Sequence, residues 1–202
     1  MTKTACILGA TGLIGSHLLP LLLEHEQYQQ VIILTRRPLQ VNHPKADVRM
    51  VDFDHPEEIE KAMIGSNHVY CAVGTTRRKD PKPETYRKVD YDIPVNAALA
   101  AEKLGASHFI LISSVGANST SKNFYLKLKG EVEDKVRSLT IPHVEILQPS
   151  LLLGKRNEFR LGERIAQVLA PLYTFLMPTQ YKPIAASEVA QSMLDKCLNN
   201  HP

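Results

Sequence analysis

Short apolar runs alternate with longer segments of mixed polarity along the whole chain. Six runs rich in β-branched and aromatic residues predict strands at residues 5–8, 31–35, 48–51, 68–73, 108–112 and 143–147. Segments with apolar positions three and four residues apart predict helices at residues 13–26, 56–63, 84–104, 123–138, 158–176 and 187–198. This alternation of strand and helix is typical of βαβ units.

Several of the predicted strands are apolar on both faces. Residues 32–34 and 109–112 have no polar side chain, as expected of strands that helices cover from both sides. We therefore expect an α/β fold, a single Rossmann-type, doubly wound parallel sheet with helices on both faces. Pro20 and Pro94 fall inside helical patterns, where each should kink or offset its helix. Because no composition shift or repeat divides the chain, residues 1–202 are predicted to form one domain.

Composition and charge exclude several classes of protein. With 202 residues, 44% of them hydrophobic, the chain can bury a substantial core. Its formal net charge of +3 is small, so we expect neither a nucleic-acid partner nor a membrane partner. No apolar run reaches about 20 residues and no signal peptide is evident, which favours a cytoplasmic protein. The 3 cysteines and 8 histidines are scattered, so neither a disulfide framework nor a metal site is predicted.

A glycine-rich turn directly follows the first predicted strand and opens the first helix. A turn in this place presents the free N–H groups of a helix N-terminus to a pyrophosphate, so it predicts a dinucleotide site. A close-packed turn without a ligand is the alternative. The residues expected to contact the cofactor here are Gly9, Ala10, Thr11, Gly12, Leu13, Ile14 and Gly15.

The end of the second strand predicts which nicotinamide cofactor binds. NAD sites carry an acidic residue there for the ribose hydroxyl, whereas NADP sites carry a base for the 2′-phosphate. Here the strand ends in Arg36 and Arg37, and no acid follows until Asp47. We therefore expect NADP(H) rather than NAD(H), the alternative being that both arginines form a solvated strand end.

Further cofactor contacts are expected where the third and fourth strands end. Asp52 would lie near the adenine, although it could equally cap the helix that starts near Pro56. Val73, Gly74 and Thr75 would lie beneath the adenosine.

A tyrosine and a lysine four residues apart form the candidate catalytic pair. Tyr125 and Lys129 share one face of a predicted helix, and an ammonium near a phenol lowers the phenol's pKa. Ser113 and Ser114 end the fifth strand, at the sheet edge where open α/β folds bind ligands. A serine hydroxyl holding a substrate oxygen, beside a tyrosine acid, predicts carbonyl–alcohol redox chemistry. The alternative is that Tyr125 packs against the sheet and Lys129 is solvated.

These motifs together resemble an atypical short-chain dehydrogenase/reductase, and more narrowly the Tat-interacting oxidoreductase family. The narrower similarity lies in residues 71–77, 89–92, 111–117 and 123–133, and it extends in order over nearly the whole chain. The resemblance implies an NADPH-binding Rossmann domain in which Tyr125, Lys129 and Ser113 or Ser114 match the catalytic positions. It also implies that Pro149 and Ser150 lie beside the nicotinamide.

Three functions remain open from the sequence. The first is an NADPH-dependent oxidoreductase acting on a small carbonyl or hydroxyl compound, with its substrate-side elements in roughly residues 150–202. The others are an NADPH-sensing module that acts through protein contacts, and an epimerase or dehydratase that recycles its nicotinamide. The basic loop at 77–83 could steer an anionic substrate or cover the cofactor, or it could be a solvated loop. The apolar segment at 159–177 could form a substrate wall, the face of a homodimer or part of the core.

Overall fold

Six apolar strands lie side by side in one parallel sheet. The computed structural model describes residues 2–74, 83–153 and 183–199. The sheet has the order β3-β2-β1-β4-β5-β6, and all five pairings are parallel. Its strands are β1 (Lys3–Leu8), β2 (Tyr28–Thr35), β3 (Ala46–Met50), β4 (His68–Cys71), β5 (His108–Ile112) and β6 (His143–Leu147). The predicted doubly wound sheet is therefore confirmed.

Helices follow most of these strands. They are α1 (Gly15–Glu24), α2 (Pro56–Ala62), α3 (Pro83–Arg87), α4 (Ile93–Lys103), α5 (Phe124–Arg137) and α6 (Ala186–Leu198). A second, parallel pair of very short strands, β7 (Leu152–Leu153) and β8 (Ile184–Ala185), was not predicted. Two residues give too short an apolar run to be read as a strand.

Each face of the sheet carries its own apolar core. Successive strand residues point to opposite faces, so Cys6 and Ile7 belong to different cores. The core that contains Cys6 is covered by α2, α4 and α5, and the core that contains Ile7 is covered by α1 and α6. The strands are apolar on both sides because both sides are buried.

The prediction of one continuous α-helix at 84–104 is wrong in the middle of that range. A π-helical turn, Lys88–Asp92, separates α3 from α4. Pro94 stands in the first turn of α4, where its missing N–H is not needed. A continuous α-helix would require that N–H to bond the carbonyl of Asp90, four residues earlier. The backbone widens at this position. Pro20, in contrast, lies inside α1, which ends at Glu24.

Some predicted features lie outside the described residues. They are Thr75, residues 77–82 of the basic loop, the helix at 158–176 and the apolar segment at 159–177. In the described part of the chain, no helix combines the length and apolar character needed to cross a bilayer.

Candidate functional site

The glycine-rich turn is pressed against the segment that follows β4. Gly9 has a φ of 85°, a conformation that side-chain-bearing residues rarely adopt. A Cβ on Gly9 would lie 2.7 Å from the carbonyl oxygen of Ala72. The turn closes through the Gly12 N–H, which donates to the Gly9 carbonyl at 2.9 Å. Only glycine allows the chain to leave β1 in this direction.

The N-terminus of α1 is prepared for an anion. Among the described residues, no side chain caps this helix, whose N-cap is Ile14, and its first turn holds no acidic residue. The positive end of the helix dipole therefore has no anionic protein partner, although the Ser16 and His17 N–H groups donate to the Gly12 and Ile14 carbonyls. A pyrophosphate suits such a helix end, because its negative charge is stabilised by the dipole.

The topology places this turn at a switch point of the sheet. β1 lies between β2 and β4. The segments that follow the adjacent strands β1 and β4 therefore run to opposite faces of the sheet. A cleft of about 750 Å³ opens at the ends of β2 and β3, and Arg36, Asp52 and Lys88 are among its lining residues. Open α/β sheets bind adenosine in such crevices.

The structure separates the two predicted arginines. Arg36 lines the cleft, whereas Arg37 is not among its lining residues. Both side chains are exposed. The Arg37 backbone is held by the Thr35 side chain, whose hydroxyl donates to the Arg37 carbonyl at 2.8 Å. Of the pair, Arg36 is therefore the one beside the cleft.

Asp52 lines the cleft and also has a structural role in the loop that leads to α2. Its carboxylate accepts the Asp54 N–H at 3.0 Å, and its own N–H donates to Glu58 at 2.9 Å. The N-cap residue of α2 is His55, and neither Asp52 nor Asp54 makes a side-chain cap there. Lys88, which sequence reasoning missed, pairs with Asp54 at 2.9 Å on the rim. The hydrogen bond with Asp54 and its negative charge raise the pKa of Lys88.

Ser113 and Ser114 stand at the carboxyl end of β5, as predicted. The Ser113 backbone N–H donates to the Leu147 carbonyl at 2.8 Å, which joins this end to β6. Its hydroxyl is buried and has no hydrogen-bond partner in the ranges that the structure describes. The half-buried Ser114 hydroxyl lies 3.5 Å from the Val115 carbonyl oxygen, at the limit of a hydrogen bond. Ser113 thus has donor capacity left for a bound molecule.

Helix α5 carries Tyr125 and Lys129 into the same region. Asn123 caps the helix, since its side-chain oxygen accepts the N–H groups of Tyr125 at 3.0 Å and Leu126 at 3.3 Å. Tyr125 is half-buried, and its ring meets the ring of Tyr86 edge-on at 6.2 Å. Within the described ranges, no hydrogen bond joins the Tyr125 hydroxyl to Lys129 or to either serine. The four side chains therefore share no direct hydrogen bond in the described part of the chain.

The partner of Lys129 is a residue that the sequence did not single out. The Lys129 Nζ lies 3.0 Å from Asp90 Oδ1, and the two side chains are 5% and 0% exposed. Asp90 comes from the π-helical turn ahead of Pro94. Pro94, four residues after Asp90, was the available sign that the helical pattern is disturbed here. The pair is buried, so its charges are held in place and little screened by solvent.

Gly74 connects this ion pair with the glycine turn. A Cβ on Gly74 would lie 3.4 Å from Asp90 Oδ1 and 3.7 Å from Lys129 Nζ. Ala72, two residues earlier, is the residue against which Gly9 packs. The few residues that follow β4 therefore touch both the glycine turn and the buried lysine. Pro149 is half-buried near the same edge, where its carbonyl accepts the Val115 N–H at 3.1 Å, and Ser150 follows it.

The comparison with known families agrees with this geometry. A family model described as NAD(P)H-binding matches residues 9–168. The chain belongs to this NAD(P)H-binding family. The match begins at Gly9, the first glycine of the turn.

Curated relatives confirm the narrower resemblance to the Tat-interacting oxidoreductase family. Protein HTATIP2 of Rattus norvegicus is 36% identical over 168 residues, covering 82% of this chain and 69% of the relative. Protein FMP52, mitochondrial, of Candida albicans is 37% identical over 196 residues, covering 94% of this chain and 85% of the relative. This NAD(P)H-binding chain is therefore similar to both proteins over most of its length.

Solved structures share the fold at low sequence identity. The Bordetella bronchiseptica enzyme WbmH, in complex with NAD+, has a TM-score of 0.74 at 15% identity, covering 97% of this chain and 72% of the other. The UDP-glucose 4-epimerase of Thermotoga maritima, with UDP-glucose, has a TM-score of 0.71 at 16% identity, covering 95% and 72%. These structures support a Rossmann-like fold for the NAD(P)H-binding chain.

The expectation of a cytoplasmic location is wrong. Three relatives at 33–37% identity, from three yeast species, are named mitochondrial. The expectation was based on two absences, that of a signal peptide and that of an apolar span. Neither absence specifies a compartment.

Proposed function

We propose that this chain is an NADPH-dependent oxidoreductase that acts on a small carbonyl or hydroxyl compound. One observation carries the proposal: the residues after β4 touch the glycine turn through Ala72 and the buried Lys129 through Gly74. A dinucleotide with its pyrophosphate on the glycine turn would run along this edge of the sheet toward Lys129.

The cofactor, when bound, supplies or accepts the hydride, and the chain's own residues handle the proton and the substrate oxygen. Tyr125 is proposed as the acid that gives its hydroxyl proton to the substrate oxygen, or takes it back in the reverse direction. Ser113, whose buried hydroxyl has no hydrogen-bond partner among the described residues, would donate a hydrogen bond to the same oxygen, with Ser114 as the alternative donor. Lys129 would hold the cofactor's ribose and place a positive charge one helical turn from Tyr125.

Asp90 adds a positioning role to this scheme. A lysine ammonium with a carboxylate at 3.0 Å keeps one rotamer, which fixes where its remaining N–H donors point. The same carboxylate offsets the lysine's positive charge, so it also limits how strongly Lys129 can act on Tyr125. Asp90 is therefore proposed to set both the position and the strength of that interaction.

The catalytic assignment is tested by Tyr125→Phe, which removes only the hydroxyl. We expect NADPH affinity to be retained and turnover to fall at least about a hundredfold, the scale of general acid catalysis. Tyr86→Phe is the matched control, because its ring contacts Tyr125 and no proton transfer is assigned to it. The assay follows NADPH oxidation with a panel of small aldehydes, ketones and quinones. Undiminished turnover in Tyr125→Phe would discard the assignment, and NADPH binding without turnover across the panel would favour a sensing module.

The preference for NADPH over NADH is tested by comparing two neighbouring arginines. Arg36 lines the cleft and Arg37 does not. A charge-assisted hydrogen bond to the 2′-phosphate is worth about 1.5–3 kcal/mol, or roughly 10- to 150-fold in affinity. Arg36→Ala should therefore weaken NADPH by roughly that factor and leave NADH nearly unchanged, while Arg37→Ala changes neither. Equal losses for both cofactors in Arg36→Ala would contradict a phosphate contact.

A further inference from the structure

A second cluster of chemically active side chains lies at the opposite edge of the sheet. His68, His108 and His143 are the first residues of β4, β5 and β6, and the strand register places them opposite one another. The ring centroids of His68 and His108 are 4.5 Å apart, and those of His108 and His143 are also 4.5 Å apart. The three rings thus lie at the amino ends of their strands. The glycine turn follows β1 and lies at the opposite edge of the sheet, where the parallel strands have their carboxyl ends.

Helix α6 brings a thiol to this row. The Cys197 Sγ lies 3.1 Å from His68 Nδ1. His68 and Cys197 are 0% exposed and His108 is 3% exposed. One ligand atom from each of these three residues lies within 4.8 Å of the others. The three residues are far apart in the sequence, so no motif of fixed spacing indicated this cluster.

We propose that His68, His108 and Cys197 form a binding site for a thiophilic divalent metal ion of the Zn²⁺ type. Two imidazoles and a thiolate are a ligand set that suits such an ion and disfavours Mg²⁺ or Ca²⁺. Zinc lies about 2.3 Å from sulfur and about 2.0–2.1 Å from nitrogen, so tetrahedral ligand atoms are about 3.3–3.7 Å apart. The sulfur–nitrogen distance of 3.1 Å would widen by about 0.5 Å, and a pair at the 4.8 Å limit of the cluster would close by roughly 1 Å, to reach that geometry.

Neighbouring hydroxyls supply the outer contacts that such a site uses. The Ser107 hydroxyl oxygen lies 2.9 Å from His108 Nδ1; in the tautomer whose Nδ1–H donates to this oxygen, Nε2 is the ring nitrogen able to coordinate a metal. The Tyr28 hydroxyl lies 2.8 Å from His68 Nδ1 and 3.9 Å from Cys197 Sγ, which makes it the nearest candidate for a fourth ligand. The Tyr70 hydroxyl holds Tyr28 at 2.7 Å.

Metal binding at this site is a ligand exchange without electron transfer. The S–H bond of Cys197 breaks, its proton leaves to solvent, and a metal–sulfur bond forms. The ion would join α6 to β4 and β5, because its ligands come from these three elements. Its role would be structural, since the site is buried and remote from the cofactor edge.

The test uses the full chain without a histidine tag, stripped with a chelator and then titrated with Co²⁺. Metal is added both to the folded protein and during refolding, because the site is buried. We expect a sulfur-to-cobalt charge-transfer band and strong visible bands of tetrahedral cobalt that saturate at one equivalent. At a hundredfold excess over its Kd, Zn²⁺ should raise the Tm by about 5–10 °C.

Variants show whether the named ligands hold the metal. Cys197→Ser should remove the sulfur band and His108→Gln should weaken metal binding at least tenfold. Cys6→Ser is the matched control, because Cys6 is equally buried but belongs to the core on the other face. The proposal is overturned if wild-type protein shows no sulfur band and no zinc-dependent rise in Tm, which would make the cluster a hydrogen-bonded part of the core only. A sulfur band that persists in Cys197→Ser would overturn it too. If Cys197→Ser fails to fold, the wild-type spectrum and His108→Gln decide.

Discussion

The buried ion pair between Asp90 and Lys129 makes a quantitative prediction. Asp90→Asn keeps the shape of the side chain and removes its charge, which leaves the Lys129 ammonium buried without its carboxylate. Removing one partner of a buried pair costs about 3–5 kcal/mol. The asparagine oxygen can still accept a hydrogen bond from Lys129, so we expect the lower end, about 3 kcal/mol. For a chain of this length that corresponds to a fall in Tm of roughly 6–12 °C.

The assay is urea titration at neutral pH, which gives the free energy of unfolding of each variant. The slope m of that free energy against urea concentration is compared between variants. Asp92→Asn is the matched control, because Asp92 lies in the same π-helical turn but is only half-buried. It removes the same charge from the chain and should change stability by less than about 0.5 kcal/mol.

A double-mutant cycle with Lys129→Met isolates the pair. The double variant Asp90→Asn/Lys129→Met buries no charge at this point, so its loss should be smaller than the sum of the two single losses by about 1–3 kcal/mol. Additive losses, or a single loss for Asp90→Asn below about 0.5 kcal/mol, would refute the reasoning from burial and distance.

Two further predictions follow from other parts of the molecule. Gly9→Ala should abolish measurable NADPH binding, since its Cβ would meet the Ala72 carbonyl at a φ of 85°; calorimetry checks this, and unchanged affinity would contradict the close approach. The Thr140 N–H, at 2.6 Å, and hydroxyl, at 2.8 Å, hydrogen-bond to Glu102 and lower its pKa below 4.5. This contribution to stability is therefore present above about pH 4.5 and disappears as the pH falls through the lowered value. The Tm of the wild type should be higher than that of Glu102→Gln at pH 6, and the two Tm values should converge at acidic pH. A difference in Tm that does not change with pH would contradict this role of Glu102.

The strands and most helices could be predicted because burial requires apolar residues, and their spacing along the sequence differs between strands and helices. In a strand such as β5, which is covered from both sides, the residues after His108 are all apolar, a pattern that indicates a buried strand. The glycine turn was predictable for a related reason. Its backbone conformation at Gly9 admits few other residues, so the requirement is visible in the residue type itself.

Asp90 could not be placed from the sequence, because helical phase decides which residues meet. A π-turn adds one residue per turn, which rotates everything after it by roughly 100° relative to a continuous α-helix. Pro94 signalled a disturbance without specifying its form. Which of the two arginines lines the cleft could not be predicted for a different reason, since adjacent residues at a strand end point in different directions and only the folded loop shows it.

The central position of β1 has a consequence for the order of folding. β1 pairs with β2 across a single helix, whereas its pairing with β4 joins Ala5 to His68 and must wait for a much longer loop to close. Gly9 packs against Ala72, which arrives only with β4. An intermediate that contains β1, α1 and β2 alone would therefore lack the side of the proposed nucleotide site that follows β4. During synthesis, cofactor capture would report that the two halves of the sheet have joined.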